Sequence, residues 1–93
     1  MTRMADVAEA RFGGIDVLVA NAAIFSTLKP KPFEELSADE WRQVMDVNTL
    51  GVFLGVKACL PALARSDAAR IITVSSGVAF KGNTLYLHYV ASK

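Results

Sequence analysis

Two short aliphatic runs, separated by a long helical pattern, limit the possible folds most strongly. Residues 15–20 read IDVLVA and residues 71–75 read IITVS, and such runs are typical of buried parallel strands. A parallel pair needs a crossover connection of about a dozen or more residues, usually a helix. The sequence therefore predicts a βαβ unit and the α/β class.

The crossover begins with a recognisable helix start. Ser37 and Glu40 have the spacing of a capping box, and Leu36 and Trp41 have the spacing of a hydrophobic staple. From Trp41 onward apolar residues recur three and four positions apart, which predicts one helix to about residue 65. Pro61 is a candidate kink within it.

Further helices are predicted on both sides of this unit. Residues 4–12 have helical spacing and end at Gly13-Gly14, so this helix is expected to be in progress already at Met1. A loop is predicted after Gly77, and residues 85–93 have the composition of another helix. Two strands do not make a full parallel sheet, so we expect part of a Rossmann-like, doubly wound sheet.

Composition narrows the function classes. The net charge of +1 comes from interleaved acidic and basic residues, which gives no basic stripe for nucleic acid. The single cysteine, Cys59, cannot form an internal disulfide and is expected to be a small core residue. No uncharged apolar run approaches the ~18 residues of a membrane span, and no apolar signal region opens the chain. We expect a soluble, cytoplasmic protein without nucleic-acid or membrane partners.

Polar residues follow both predicted strands, where open α/β sheets bind their ligands. Asn21-Ala22-Ala23 follows the first strand, and Ser75-Ser76-Gly77 follows the second. The alternative is ordinary turn chemistry, because Asn and Ser commonly satisfy turn backbone.

Asn48 is the one polar residue on the apolar helix face that it shares with positions 41, 45 and 52. A buried amide left unpaired costs about 1–3 kcal/mol, so Asn48 needs partners. A site residue and a structural bridge to a neighbouring strand both satisfy this requirement.

Tyr89 and Lys93 stand four residues apart, which places them on one face of a helix. A phenol is a weak acid at neutral pH, and a neighbouring ammonium favours the phenolate. The pair could serve as an acid/base catalyst. A solvated helical face is the alternative.

The chain resembles the short-chain dehydrogenases/reductases in four linked segments. They are GGIDVLVANAA, DVNTLGVF, IITVSS and YVASK, and together they cover nearly the whole chain. The resemblance implies an oxidoreductase that uses NAD or NADP. Such an enzyme interconverts small alcohols and carbonyl compounds by hydride transfer.

The resemblance also implies residue roles. Tyr89 would be the general acid/base, and Lys93 would favour its phenolate and hold the nicotinamide ribose. Ser76, thirteen residues before Tyr89, would bind the substrate oxygen. Asn48 would anchor a water in the proton relay. Asn21 would stabilise the central sheet beside the cofactor, and Ala22 and Ala23 would belong to the same cofactor-binding loop. No metal is implied.

The chain departs from the family pattern in two respects. Asn-Asn-Ala-Gly is replaced by Ala-Asn-Ala-Ala at residues 20–23, and the glycine-rich phosphate loop is absent. Residues 1–93 are therefore expected to be a partial NAD(P)-binding domain without that loop or the C-terminal substrate region. A truncated gene model is the expected explanation of its ends. We expect the chain alone to be inactive and its full-length parent to be a homo-oligomer.

The sequence suggests two alternative functions. An inactive fragment could act as an interaction or oligomerisation module, because helices bearing Asn48 and Tyr89 commonly lie at subunit interfaces in this family. A serine hydrolase is disfavoured, since neither Ser75 nor Ser76 lies in Gly-x-Ser-x-Gly and His88 has no evident acid partner. We expect His88 to be pocket-lining or solvated.

Overall fold

The computed structural model describes residues 2–93. Its elements, in chain order, are α1 (Thr2–Phe12), β1 (Val17–Ala20), a 3-10 turn (Phe33–Glu35), α2 (Ala38–Met45), a π-helical segment (Asp46–Leu50), α3 (Gly51–Ala64), β2 (Arg70–Thr73), α4 (Val78–Lys81) and α5 (Leu87–Ser92). They form two compact units. The first contains the chain through Asn21 together with Val52–Thr73, and the second contains Ala22–Gly51 and Val74–Lys93.

The first unit contains a two-stranded parallel sheet. β1 pairs with β2 in a register that places Val17 opposite Arg70 and Ala20 opposite Thr73. The parallel pairing across a helical crossover confirms the α/β prediction. The strands are shorter than the aliphatic runs that predicted them, because the regular ladder is limited to these four pairs.

A small apolar core stabilises the first unit. Its buried members come from α1, β1 and α3, and they are Ala5, Leu18, Cys59 and Leu63. Cys59 is only 1% exposed, which confirms its prediction as a small core residue. Burial of apolar surface contributes about 25 cal/mol per Å². The core therefore holds the helices against the sheet.

Both strands are less covered than the predicted buried strands. In β1 only Leu18 is buried, and Val17 and Val19 are 51% and 53% accessible. All four residues of β2 are exposed, and the core cluster of this unit has no member from β2. The aliphatic pattern predicted the strands correctly but overestimated their burial.

Helix α1 ends where the two glycines indicate. Gly13 has a φ of 81°, a left-handed conformation that favours glycine, and its N–H donates to the carbonyl of Glu9 at 2.9 Å. The prediction that this helix is in progress at Met1 concerns a residue outside the described range. Glu9 also forms an ion pair with Arg65, just beyond α3.

The second unit confirms the predicted capping box. The hydroxyl of Ser37 accepts the N–H of Glu40 at 3.0 Å, and the Glu40 carboxylate accepts the N–H of Ser37 at 3.3 Å. Two donors of the first turn are thereby satisfied at the start of α2.

The predicted single helix contains a π-helical segment between α2 and α3. The Thr49 hydroxyl donates to the carbonyl of Met45 at 2.6 Å, and the N–H of Gly51 bonds back to the Asp46 carbonyl. Such side-chain bonds compete with the regular helical ladder, and π segments recur at functional sites. Asn48 lies within this segment. Pro61 lies inside α3.

Helices α4 and α5 follow β2. α4 replaces part of the predicted loop and ends before Gly82, whose φ is 79°. Helix α4 has only four residues, which is too short for a helical spacing of apolar residues to be recognised in the sequence. α5 confirms the predicted C-terminal helix.

By length and composition alone, the helical stretch Ala38–Ala64 could cross a membrane. Its 27 residues include a window with a mean hydropathy of 1.6. A single stretch of this kind is weak evidence, because core helices of soluble proteins have the same character.

Candidate active site

The carboxamide of Asn48 is the centre of the second unit's polar contacts. Asn48 is 5% exposed, and its Oδ1 accepts the N–H of Ile24 at 2.7 Å. Its Nδ2 donates to the Ile24 carbonyl at 3.3 Å and to Ser92 Oγ at 2.9 Å. The predicted bridge therefore exists, but it joins an irregular segment and α5 to the π-helical segment, and no strand takes part.

Ser92 connects Asn48 to the backbone of Tyr89. Its Oγ donates to the Tyr89 carbonyl at 2.7 Å, and the N–H of Lys93 donates to the same carbonyl at 3.1 Å. Sequence reasoning missed Ser92. Its position between Tyr89 and Lys93 on one helical turn was the available signal, since Ser in a helix often bonds a carbonyl three or four residues earlier.

Tyr89 is half-buried in α5, and its ring packs against Phe25. The two ring centroids lie 4.7 Å apart at an angle of 47°, and Phe25 also packs against Tyr86 at 5.3 Å. Tilted aromatic pairs at these distances contribute about 0.5–1.5 kcal/mol. Phe25 was also missed, because nothing in the irregular segment after β1 indicated a contact with α5.

The two serines after β2 make different contacts. Ser75 Oγ donates to the carbonyl of Lys93 at 2.8 Å. Ser76 is half-buried, and its Oγ accepts the N–H of Val78 at 3.4 Å. A hydroxyl oxygen that accepts in this way still has a hydrogen to donate. Ser75 therefore holds the end of α5, while Ser76 retains donor capacity.

Asn21, Ala22 and Ala23 are exposed and directly follow β1. The N–H of Asn21 donates to the Val19 carbonyl at 3.1 Å. These residues immediately precede Ile24, whose backbone binds Asn48. They do not take part in the hydrogen bonds that join Asn48, Ser92 and Tyr89.

His88 is not solvated, contrary to one of the two expectations for it. It is 1% exposed, and its Nδ1 accepts the N–H of Tyr89 at 3.0 Å. The imidazole thus contacts the backbone of the candidate catalytic residue.

One carboxyl of the second unit, that of Glu40, has a lowered pKa. The Lys31 ammonium lies 3.0 Å from Glu40 Oε1 and lowers the pKa of this carboxyl, and the bonds to Ser37 lower it further. Within residues 2–93 there is no group of three or more acidic, histidine or cysteine side chains that could hold a metal ion.

The motifs and this arrangement agree with a comparison against protein families. The sequence model described as short chain dehydrogenase matches residues 1–93. The chain belongs to the short-chain dehydrogenase family. It is therefore a member of an oxidoreductase family with a Rossmann-like fold.

Two curated relatives are named as dehydrogenases of hydroxylated compounds. The chain is 36% identical over 92 residues to a 3-alpha-(or 20-beta)-hydroxysteroid dehydrogenase of Mycobacterium bovis, covering 99% of this chain and 34% of that protein. It is 39% identical over 83 residues to a trans-4-hydroxycyclohexanecarboxylate dehydrogenase of Sinomonas cyclohexanicum, covering 89% of this chain and 30% of that protein. The chain thus spans about a third of these short-chain dehydrogenases.

Solved structures support the same family. A short-chain dehydrogenase/reductase from Brucella melitensis superposes with a TM-score of 0.89 at 38% identity, over 99% of this chain and 37% of that one. An alcohol dehydrogenase from Thermococcus sibiricus, in complex with 5-hydroxy-NADP, gives a TM-score of 0.82 at 32% identity, over 98% of this chain and 37% of that one.

Proposed function

We propose that this chain carries the acid/base residues of an NAD(P)-dependent enzyme that interconverts small alcohols and carbonyl compounds. The observation that carries the proposal is the set of contacts around α5. Tyr89 lies in this helix and Lys93 is its C-cap residue. The buried Asn48 is linked to the Tyr89 carbonyl through Ser92. These contacts fix the backbone of the two residues that would perform the chemistry.

Tyr89 is the proposed proton donor and acceptor. Its phenol Oη would give a proton to the substrate oxygen during reduction and take it back during oxidation. Lys93, four residues on, would assist this proton transfer, as the family resemblance implies. Packing against Phe25 restricts the ring and therefore the direction of the O–H group.

Ser76 and Asn48 have supporting roles in this proposal. Ser76 would donate its free hydroxyl hydrogen to the substrate oxygen, where negative charge develops during reduction. Asn48 would hold a water of the proton relay, while its side chain remains bonded to Ile24 and Ser92. The family resemblance supports both assignments.

The residues present fit one end of a nicotinamide cofactor. A phenol and an ammonium four residues apart suit a ribose diol, so Tyr89 and Lys93 would hold the nicotinamide ribose, as the family resemblance implies. Asn21, Ala22 and Ala23 would lie beside the cofactor, since their small, exposed side chains permit close approach. When bound, NAD or NADP supplies or accepts the hydride.

The pyrophosphate end has no corresponding loop in these 93 residues. Phosphates bind at glycine-rich turns before a helix N-terminus, and the sequence has no such turn. We therefore propose that catalysis needs residues besides these and that the 93-residue chain alone does not turn over. A homo-oligomer is proposed for the active protein, and the cytoplasmic location stays a prediction.

A hybrid protein tests this function. Residues 1–93 would replace the matching segment of the Brucella melitensis protein, and oxidation of NADH and NADPH would be measured with a panel of ketones. We expect turnover by the hybrid and none by the purified 93-residue chain. A correctly folded hybrid without any activity would contradict the proposed function, and turnover by the chain alone would contradict its proposed inactivity.

A further inference from the structure

The first turn of α5 has an uncommon arrangement of caps. Tyr86 is its N-cap residue and makes no side-chain capping bond. The N–H of Val90 donates to the Tyr86 carbonyl at 2.9 Å and so makes the first helical bond. The N–H groups before Val90 have no backbone carbonyl of the helix as acceptor, and helices often satisfy such donors with N-cap side chains.

His88 supplies one of the missing acceptors from inside the helix. Its Nδ1 accepts the N–H of Tyr89 at 3.0 Å, and its side chain is 1% exposed. A ring nitrogen that accepts a hydrogen bond carries no proton, so in the neutral ring the hydrogen belongs to Nε2. The bond therefore selects one tautomer of the imidazole.

Both polar backbone atoms of Tyr89 are consequently held by identified partners. His88 accepts from its N–H, while Ser92 Oγ and the Lys93 N–H donate to its carbonyl. The Asn48 contact extends this set of bonds to the π-helical segment. The backbone that presents the phenol is thus fixed on both sides.

We propose that His88 is a positioning residue that fixes the backbone of Tyr89 through its Nδ1. The catalytic consequence rests on the proposed function, whereas the capping bond does not. The imidazole makes no proton transfer in this role. It holds the first turn of α5 so that the spacing between Tyr89 and Lys93 is kept.

Packing alone is the competing explanation, because a buried ring also fills space. Two substitutions separate the possibilities. His88→Asn keeps an acceptor oxygen at the position of Nδ1 but loses ring volume, and His88→Phe keeps a ring but has no acceptor. If His88 acts by capping, exchange of the Tyr89 amide should be closer to wild type in His88→Asn than in His88→Phe. If His88 acts only by packing, the opposite order is expected.

The test is nitrogen-15 NMR and amide hydrogen exchange on the 93-residue chain. The wild-type imidazole is expected to show the tautomer with its hydrogen on Nε2. Exchange of the Tyr89 amide is expected to be about tenfold faster in His88→Phe, which corresponds to about 1.4 kcal/mol, and close to wild type in His88→Asn. A hydrogen on Nδ1, or the reverse order of the two variants, would overturn the proposal.

The tautomer is measured on the unaltered protein, so misfolding of a variant does not remove the test. Neither measurement requires turnover. An inactive hybrid would therefore contradict the proposed function and leave the capping bond standing. A wild-type hydrogen on Nδ1 would overturn the capping bond and leave the function of Tyr89 untouched.

Discussion

At the residue scale, the buried Asn48 shows how one side chain can have a structural and a proposed catalytic role together. Its amide uses both Oδ1 and Nδ2 for contacts with Ile24 and Ser92. The structural bridge that the sequence left open as one interpretation is thus present, and the water-binding role of Asn48 stays a proposal.

Removing the amide should destabilise the chain. Asn48→Ala leaves the partly buried backbone groups of Ile24 without the Asn48 side chain as partner, so we expect the free energy of unfolding to fall by about 1–3 kcal/mol. Urea denaturation measures the loss. Ser92→Ala removes only the bond from Asn48 Nδ2 to Ser92 Oγ among the Asn48 contacts, and we expect it to lower the free energy of unfolding by less than Asn48→Ala does. Equal stability of Asn48→Ala and wild type would contradict the bonding described.

At the element scale, the start of α2 was the best-predicted feature. Ser37 and Glu40 are three residues apart, and the capping box consists of hydrogen bonds between these two residues. Because the bonds are local, the sequence pattern alone was enough to predict them. In the π-helical segment after Met45, the Thr49 hydroxyl donates to the Met45 carbonyl. The spacing of apolar residues in the sequence does not indicate such a bond. Local capping was predictable, and a local change of helical geometry was not.

The cap of α2 should contribute measurably to stability. Ser37→Ala removes the acceptor for the Glu40 N–H and is expected to cost about 1 kcal/mol in thermal unfolding. Ser37→Thr keeps a hydroxyl at the same place and serves as the matched control. A Ser37→Ala variant with the same unfolding temperature as wild type would contradict a contribution of the capping box to stability.

The capping carboxylate should also make stability depend on pH. The pKa of Glu40 is lowered in the folded state, chiefly by the hydrogen bond from Lys31. The Glu40 carboxylate therefore contributes fully to the free energy of unfolding above its unfolded-state pKa. This contribution is lost as the pH falls through the lower folded-state pKa. Urea denaturation at a series of acidic pH values should show that the free energy of unfolding falls more steeply with decreasing pH in wild type than in Glu40→Gln. Identical pH profiles would contradict this assignment.

At the scale of the whole molecule, the class and the candidate residues were accessible from sequence, and several of their contacts were not. The two aliphatic runs predicted the parallel pair, and four motifs indicated the family that the comparison then showed. The ring contacts of Phe25 and the bond between Ser92 and Asn48 escaped prediction because tertiary packing sets these partners, whereas the bond of Ser92 to the Tyr89 carbonyl is local. The burial of His88 escaped for the same reason.

The central claim is that Tyr89 performs the acid/base step, and a matched pair of tyrosine variants tests it most directly. In the hybrid protein, kcat for ketone reduction would be measured for Tyr89→Phe and Tyr86→Phe, which remove phenol oxygens three residues apart and keep both rings. We expect Tyr89→Phe to lose about 10²–10⁴-fold in kcat, the usual contribution of general acid–base catalysis, and Tyr86→Phe to remain of the same order as wild type. Full activity in Tyr89→Phe would contradict the account.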